Sequence, residues 1–211
     1  MVVKNFTDTA IPNVTKLRLL LVHKHLAAKT MPEDSLLTSA ALEKLTGIPR
    51  DTIRKDISFL KGVDGSATGY HLGDLSRAIE GELSMTAEKR LCIVGLGRLG
   101  SAYLSYFESG EGAPYTLAAG FDSNVNRLEV LSVKTPLFPA YKLKEVAEEL
   151  EIEAALLCVP EEAAQQSADK LIEAGVRGII NFTPAAIVAP KELQVRNVDL
   201  KDELKALFMS I

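Results

Sequence analysis

Residues 91–100 read LCIVGLGRLG, an apolar strand running directly into Gly-x-Gly-x-x-Gly, and a second apolar run, LAAGFD, closes on Asp122, 22 positions after the last glycine. No other feature restricts the fold as much. A strand, a glycine turn, a helix start and an acid at the end of the next strand together form the sequence pattern of a dinucleotide-binding βαβ unit. Such a unit needs parallel strands covered by helices, so it also governs the residues around it. Gly95, Leu96, Gly97, Arg98, Leu99 and Gly100 are the candidate pyrophosphate loop, because free amides and the macrodipole at a helix N-terminus favour an anion. Asp122 is the candidate acceptor for the adenosine ribose hydroxyls. A carboxylate there repels a 2′-phosphate, so NAD and NADH are expected as ligands in preference to NADP. Arg127 lies nearby in sequence and reads as a solvated surface arginine.

Beyond this unit, strand and helix alternate. The strands are TLAAGFD, PLFPAY, EAALLCV and VRGIINF, and the helices are residues 99–108, KLKEVAEELE and EEAAQQSADKLIEAG. The stretch after Asp122 reads as a turn region and TPAAIVAP as a loop. Apolar strands that run continuously, without alternation, predict a doubly wound parallel sheet with helices on both faces. Ligands bind beyond the carboxyl ends of such strands, which draws Val159 and Pro160, and Asn181, Phe182 and Pro184, toward the nicotinamide half of the site.

The residues before this unit are of another kind. Residues 1–61 hold ten Lys and Arg against six Asp and Glu, a balance of +4, and the other 150 hold fourteen against twenty-two, a balance of −8. A basic head on an acidic body suits a polyanion-binding module joined to something else. At 211 residues the chain fits two modest domains, read as 1–84 and 85–198, with a C-terminal helix over 199–211.

Within the head, VTKLRLLLVHKHLAA is helical, with Asn13 or Thr15 as its cap, and LLTSAALEKLTG is a short helix capped by Thr38 or Ser39 and ended by Gly47. IPRDTIRKDISFLK follows, with Ile48, Ile53, Ile57 and Leu60 on one face and Arg50, Arg54 and Lys55 on the other. Two short helices about a glycine turn make a helix-turn-helix, and the glycine-rich GVDGSATGYHL adds a hairpin wing. At the other end of the chain, Leu200, Leu204, Leu207 and Phe208 form an amphipathic stripe that needs a partner surface.

Other classes are disfavoured. No apolar run approaches the ~20 residues of a bilayer span, and the N-terminus lacks a secretory signal, so no membrane partner is expected. Cys92 and Cys158 read as buried core thiols and not as a disulfide or metal pair, which suits a reducing cytoplasm; no metal site is expected. All three histidines, His23, His25 and His71, precede the glycine motif. A dehydrogenase usually needs such a residue to move a proton with the hydride. The nucleotide therefore reads as a signal and not as a reagent, with no catalytic residues.

Six blocks, in order over nearly the whole chain, carry a family resemblance: Ile11-Pro12-x-x-Thr15-x-x-Arg18-Leu19, Ile53-Arg54-Lys55-Asp56-Ile57-Ser58, Gly69-Tyr70, Gly95-x-Gly97-Arg98-Leu99-Gly100, Asn181-Phe182-Thr183-Pro184 and Val198-Asp199-Leu200. Together they resemble the Rex family of redox-sensing transcriptional repressors. The resemblance implies a homodimer with a winged-helix DNA-binding domain, a Rossmann domain sensing the NADH/NAD+ ratio, and a C-terminal helix swapped onto the partner subunit. It also implies a palindromic double-stranded DNA operator that is released when NADH binds.

By position, Arg54 and Lys55 fall in the recognition helix, Arg50 and Thr52 at its start, Thr38 and Ser39 at the phosphates, and Lys61 beside the wing. Arg18 and Asp199 match positions that pair between subunits in one redox state, and Tyr106 matches a tyrosine that bonds this aspartate in the other. Two departures stand out. The wing, Gly65-Ser66-Ala67-Thr68-Gly69, lacks the usual Arg or Lys, which weakens the expectation of minor-groove contact. SNVNRLEVLSVKTP lacks the usual proline and glycine. Two other readings stay open: a NAD-binding oxidoreductase with a fused helical regulatory head, and a family member whose DNA and nucleotide binding are uncoupled.

Overall fold

Two stretches of chain fold around separate apolar cores, Met1–Thr86 and Ala87–Ile211. The computed structural model describes residues 11–28, 32–63, 69–83, 88–109 and 115–211. The boundary expected near Ser84 and the wing residues 65–68 lie outside the described residues.

The first unit runs α1 (Asn13–Ala27), β1 (Leu36–Leu37), α2 (Ser39–Thr46), α3 (Arg50–Ile57), β2 (Tyr70–His71) and α4 (Leu72–Glu82). Leu19, Val22 and Leu26 of α1 bury against Leu42, Ile53, Ile57, Leu75 and Ile79, so each helix gives one apolar stripe to a common core. The expected caps of α1 are not its caps. Pro12 precedes the helix with no side-chain cap, and Thr15, already inside it, donates its hydroxyl to Asp56 Oδ1 at 3.0 Å.

Leu36 and Leu37, expected in a helix, instead pair antiparallel with His71 and Tyr70. The cause is Thr38, whose extended backbone (φ −77°, ψ 155°) starts α2 and whose Oγ1 accepts from Ala41 N–H at 3.2 Å. Gly69, with φ +119°, lets this pair close, since a Cβ there would stand 2.6 Å from Leu37 O. A small antiparallel pair beside a helix-turn-helix is the framework of a winged helix.

The second unit runs β3 (Lys89–Val94), α5 (Arg98–Ser109), β4 (Tyr115–Asp122), α6 (Val125–Val130), β5 (Leu137–Pro139), a 3-10 turn at Ala140–Lys142, α7 (Leu143–Glu149), β6 (Ala154–Leu157), α8 (Glu161–Glu173), β7 (Gly178–Asn181), β8 (Gln194–Asn197) and α9 (Leu200–Ser210). The sheet order is β5-β4-β3-β6-β7-β8 and every described pairing is parallel. Cores lie on both faces. Cys92, Val94, Phe121, Leu157 and Leu171 belong to one, and Leu91, Ile93, Leu96, Leu104 and Leu156 to the other.

Burial on both sides explains why the strands read as unbroken apolar runs. Strand order reverses between β3 and β6, and a doubly wound sheet opens its ligand crevice at that point. Two elements depart from the expectations. The turn region after Asp122 contains α6, and β8 follows the TPAAIVAP loop, pairing Val195 with Ile179.

Candidate functional site

The three glycines of the loop meet three different demands. Gly95 follows β3 with φ +92°, and a Cβ there would lie 2.6 Å from Cys158 O. At Gly100 a Cβ would fall 1.9 Å from Gly95 O, so only glycine lets α5 start this close to β3. Gly97 has neither constraint: a Cβ there would meet nothing within 4 Å. Its bare backbone faces open space, as close approach of a pyrophosphate requires. The fit to a dinucleotide is therefore local and steric.

Asp122 ends β4 only 3% exposed. A buried carboxylate needs donors, and three reach it. Leu96 N–H and Arg127 Nη1 donate to Oδ2, each at 2.7 Å, and Asn124 N–H donates to Oδ1 at 2.7 Å. Two expectations change as a result. The Leu96 amide donates to Asp122, so of the candidate pyrophosphate donors Gly97, Arg98 and Leu99 remain. Arg127 is exposed, as a surface arginine is, but it is also the ion-pair partner of Asp122. Asn124, whose side chain caps α6 by accepting from Arg127 N–H at 3.3 Å, explains the change: the capped turn brings Arg127 back over Asp122.

A cleft of about 580 Å³ opens here, lined by Gly95, Gly97, Asp122, Arg127, Val159 and Pro160 among others. That volume lies within the usual range for small-molecule sites. Gln166, Ser167 and Lys170 of α8 also line it, and sequence reading passed over them. The signal was present, because they fall between the buried Ala164, Ala168 and Leu171 on the helix. Cys158, expected in the core, is half-buried and reaches the cleft, whereas Cys92 is fully buried. Burial pushes both thiols up to about 12.

Asn181, Phe182 and Pro184 follow the neighbouring strand β7. Asn181 is fully buried, and its Nδ2 donates to Ala185 O and Asn197 Oδ1 at 2.8 and 2.9 Å. Its Oδ1 accepts from Thr183 N–H and Oγ1 at 3.0 and 2.7 Å. With its amide saturated, Asn181 shapes the loop and has no polar atom left for a ligand. Phe182 stacks at 4.8 Å on Tyr103, and Pro184 is exposed. Tyr106 lies outward, 66% exposed, edge-on to Phe107. Asp199 caps α9 by accepting from Lys201 N–H at 2.8 Å.

In the first unit, α3 presents Arg50, Arg54 and Lys55 to solvent, with Thr52 half-buried and Lys61 exposed just beyond. Arg54 is pre-set: Nε donates to Ser39 Oγ at 3.0 Å and Nη1 to Asp51 Oδ1 at 3.4 Å. Ser39 is only 7% exposed and its hydroxyl accepts from Arg54, while Thr38 stays exposed. Arg18 grips Asp56 in a fork, Nε to Oδ2 at 2.6 Å and Nη2 to Oδ1 at 2.7 Å. Hydrogen bonding to Asp56 raises the guanidinium pKa further. Asp56, buried on the inner side of the basic helix, is the acid that sequence reading gave no role.

Among the described residues no group of three His, Cys, Asp or Glu could hold a metal ion, and no helix is long and apolar enough to cross a membrane.

Comparison with known proteins agrees with this geometry in both units. A sequence model of the family described as "CoA binding domain" matches residues 86–185. The redox-sensing transcriptional repressor Rex of Levilactobacillus brevis is 30% identical over 201 residues, covering 95% of this chain and 94% of that protein. Rex of Listeria welshimeri is 31% identical over 199 residues, with 94% and 92% covered. Among solved structures, RSP, a Rex-family repressor, in complex with β-NAD+ and operator DNA aligns with a TM-score of 0.85 at 26% identity, over 96% of this chain and 93% of that one. RSP in complex with β-NADH aligns with a TM-score of 0.81 at the same identity, over 96% and 94%.

Proposed function

Because this chain belongs to the Rex family of redox-sensing transcriptional repressors, we propose that it is a DNA-binding repressor that reads the NADH/NAD+ ratio and leaves its operator when NADH occupies the cleft. The observation that carries this reading is that the similarity spans both units, 95% of the chain, and is not confined to the nucleotide fold. Gly97, Arg98 and Leu99 receive the pyrophosphate, Asp122 the adenosine ribose, and Val159 and Pro160 the nicotinamide side. Phe182 and Pro184 border that side on the loop that Asn181 holds.

Arg54 and Lys55 enter the major groove, where Arg can be bidentate to guanine, while Thr38, Arg50, Thr52 and Lys61 meet the backbone. The repressor is a homodimer, matching a palindromic operator, with α9 lying on the partner subunit. Arg18 pairs with the partner's Asp199 in one redox state, and Tyr106 with that aspartate in the other. In this role the protein works in the cytoplasm and reads its coenzyme without consuming it.

Operator titration tests the proposal. With a palindromic duplex bound, NADH should displace the protein at a concentration at least about tenfold below that of NAD+, since a ligand without differential affinity for two states shifts nothing. Equal release by both coenzymes rejects the redox reading. Steady loss of NADH absorbance with a small ketone or aldehyde would instead indicate an oxidoreductase.

A further inference from the structure

Asp56 lies on the basic helix α3 yet is only 3% exposed, too buried to meet DNA, and every donor that reaches it comes from α1. Building on the reading of the chain as a redox-sensing repressor, we propose that Asp56 is the positioning residue through which Arg18 sets α3, so that the pull of the partner's Asp199 on Arg18 reaches Arg54 and Lys55 by way of this carboxylate.

A carboxylate taken out of water must be compensated. Thr15 Oγ1 donates to Oδ1 at 3.0 Å, Arg18 Nη2 to Oδ1 at 2.7 Å and Arg18 Nε to Oδ2 at 2.6 Å, so two residues three positions apart on α1 hold one acid on α3. Ile53 and Ile57 also tie α3 to the apolar core, but apolar burial is non-directional and leaves a short helix free to roll. A bidentate fork adds fixed geometry to energy. Arg54 and Lys55 occupy the two positions before Asp56 and are exposed, so the fork that fixes Asp56 also fixes the angle at which they are presented.

The same fork determines how Arg18 answers a second carboxylate. A guanidinium carries five donors. Nε and Nη2 are engaged with Asp56 and Thr15, whereas Nη1 has no partner among the described residues, and the side chain is 31% exposed. Arg18 cannot leave Asp56 without stranding a buried charge, which is strongly unfavourable. An acid arriving from outside therefore meets Nη1 and pulls on Arg18 and Asp56 as one unit, with α3 attached. Lysine would not serve here, because a single ammonium has no planar fork with an arm to spare.

Operator binding by the full-length protein tests this with Asp56→Asn, read against a non-operator duplex at the same salt and against NADH affinity by fluorescence. With NAD+ present, operator affinity should fall at least about tenfold, the scale of one lost charge-assisted contact. Non-operator affinity rests on phosphate charge and should stay within about twofold, with NADH affinity unchanged. The ratio of operator Kd with NADH to operator Kd with NAD+ should fall at least about threefold. Adding Asp199→Asn should lower that ratio no further, since residues acting on one route are not additive. Parallel loss on both duplexes, as a merely structural role would give, overturns the proposal, and so does an unmoved ratio or an additive loss in the double variant. Thr15→Val removes a donor to Asp56 and no charge, so it should move operator affinity and the ratio in the same direction; neither moving also overturns the proposal. Wild-type protein released equally by NADH and NAD+ overturns the redox reading instead, a different result from any of these.

Discussion

Gly97 and Gly100 lie three positions apart in one loop and are glycine for opposite reasons. At Gly100 a methyl group would land 1.9 Å from the carbonyl oxygen of Gly95, backbone that cannot step aside. Gly100→Ala should cost the nucleotide unit at least about 2–3 kcal/mol, the scale of forced overpacking, and show it as a large drop in thermal stability. At Gly97 the same methyl meets nothing within 4 Å. Gly97→Ala should therefore fold within about 1 kcal/mol of the wild type yet bind NADH at least about tenfold more weakly, because the methyl stands where the pyrophosphate must approach. Fluorescence titration of a Gly97→Ala protein with unchanged melting temperature reads this directly, and full NADH affinity would remove the loop from the site. The glycines were legible in the sequence because each answers to a fixed spacing. Asp122 was legible as a position, but its partners were not. Arg127 reaches it only because Asn124 caps α6, and Leu96 gives up its amide only because Asp122 is buried against the loop. Such choices depend on three-dimensional closure, which residue spacing does not record.

The strands of the sheet are tied at their entry ends by charge as well as by backbone. Glu153, just before β6, accepts from Lys89 of β3 at 3.0 Å and also pairs with Arg177, just before β7. The hydrogen bond from Lys89 is the main influence lowering the Glu153 carboxyl below its ordinary 4.5; burial opposes it, and the charges of Lys89 and Arg177 assist. A lowered acid stabilises the fold above its unfolded value and loses that contribution as the pH falls through the folded one. Glu153→Gln should thus reduce stability near neutral pH by about 0.5–1 kcal/mol, a modest figure because Lys89 and Arg177 are solvent-screened. The two proteins should converge on acidification below pH 4.5. Denaturant titrations at neutral and acid pH measure this, and a constant gap between them would deny Glu153 the role. The long strands and helices were readable because both faces of the sheet are buried and each helix shows one stripe. α6 and β8 were not: α6 buries no residue, and β8 is a four-residue edge strand whose Gln194, Arg196 and Asn197 are exposed. Leu36 and Leu37 looked helical because two leucines beside a short helix carry no period of their own; α2 starts only after them, at the Thr38 cap.

α9 does not fit a self-sufficient chain. None of its residues is buried, and Leu200, Leu207, Phe208 and Met209 are 72%, 53%, 69% and 88% exposed. An isolated helix shorter than about 12–15 residues is marginal in water, so an eleven-residue helix held by the Asp199 cap and one exposed Lys205–Asp202 pair needs a surface to lie on. The same apolar stripe left in water would favour association. A second copy of the chain meets both needs at once, since two-fold exchange of identical helices buries both stripes and closes the assembly. The amphipathic pattern was legible in the sequence, but a complementary surface was not, because the pattern of one chain does not identify which molecule supplies it. In the proposed homodimer, deleting residues 199–211 should therefore give monomer or aggregate by light scattering. Operator affinity should fall with it, because a palindrome is gripped by two recognition helices only when the subunits are joined. A truncated protein that remains a stable, soluble dimer would locate the subunit interface elsewhere and leave α9 without its partner.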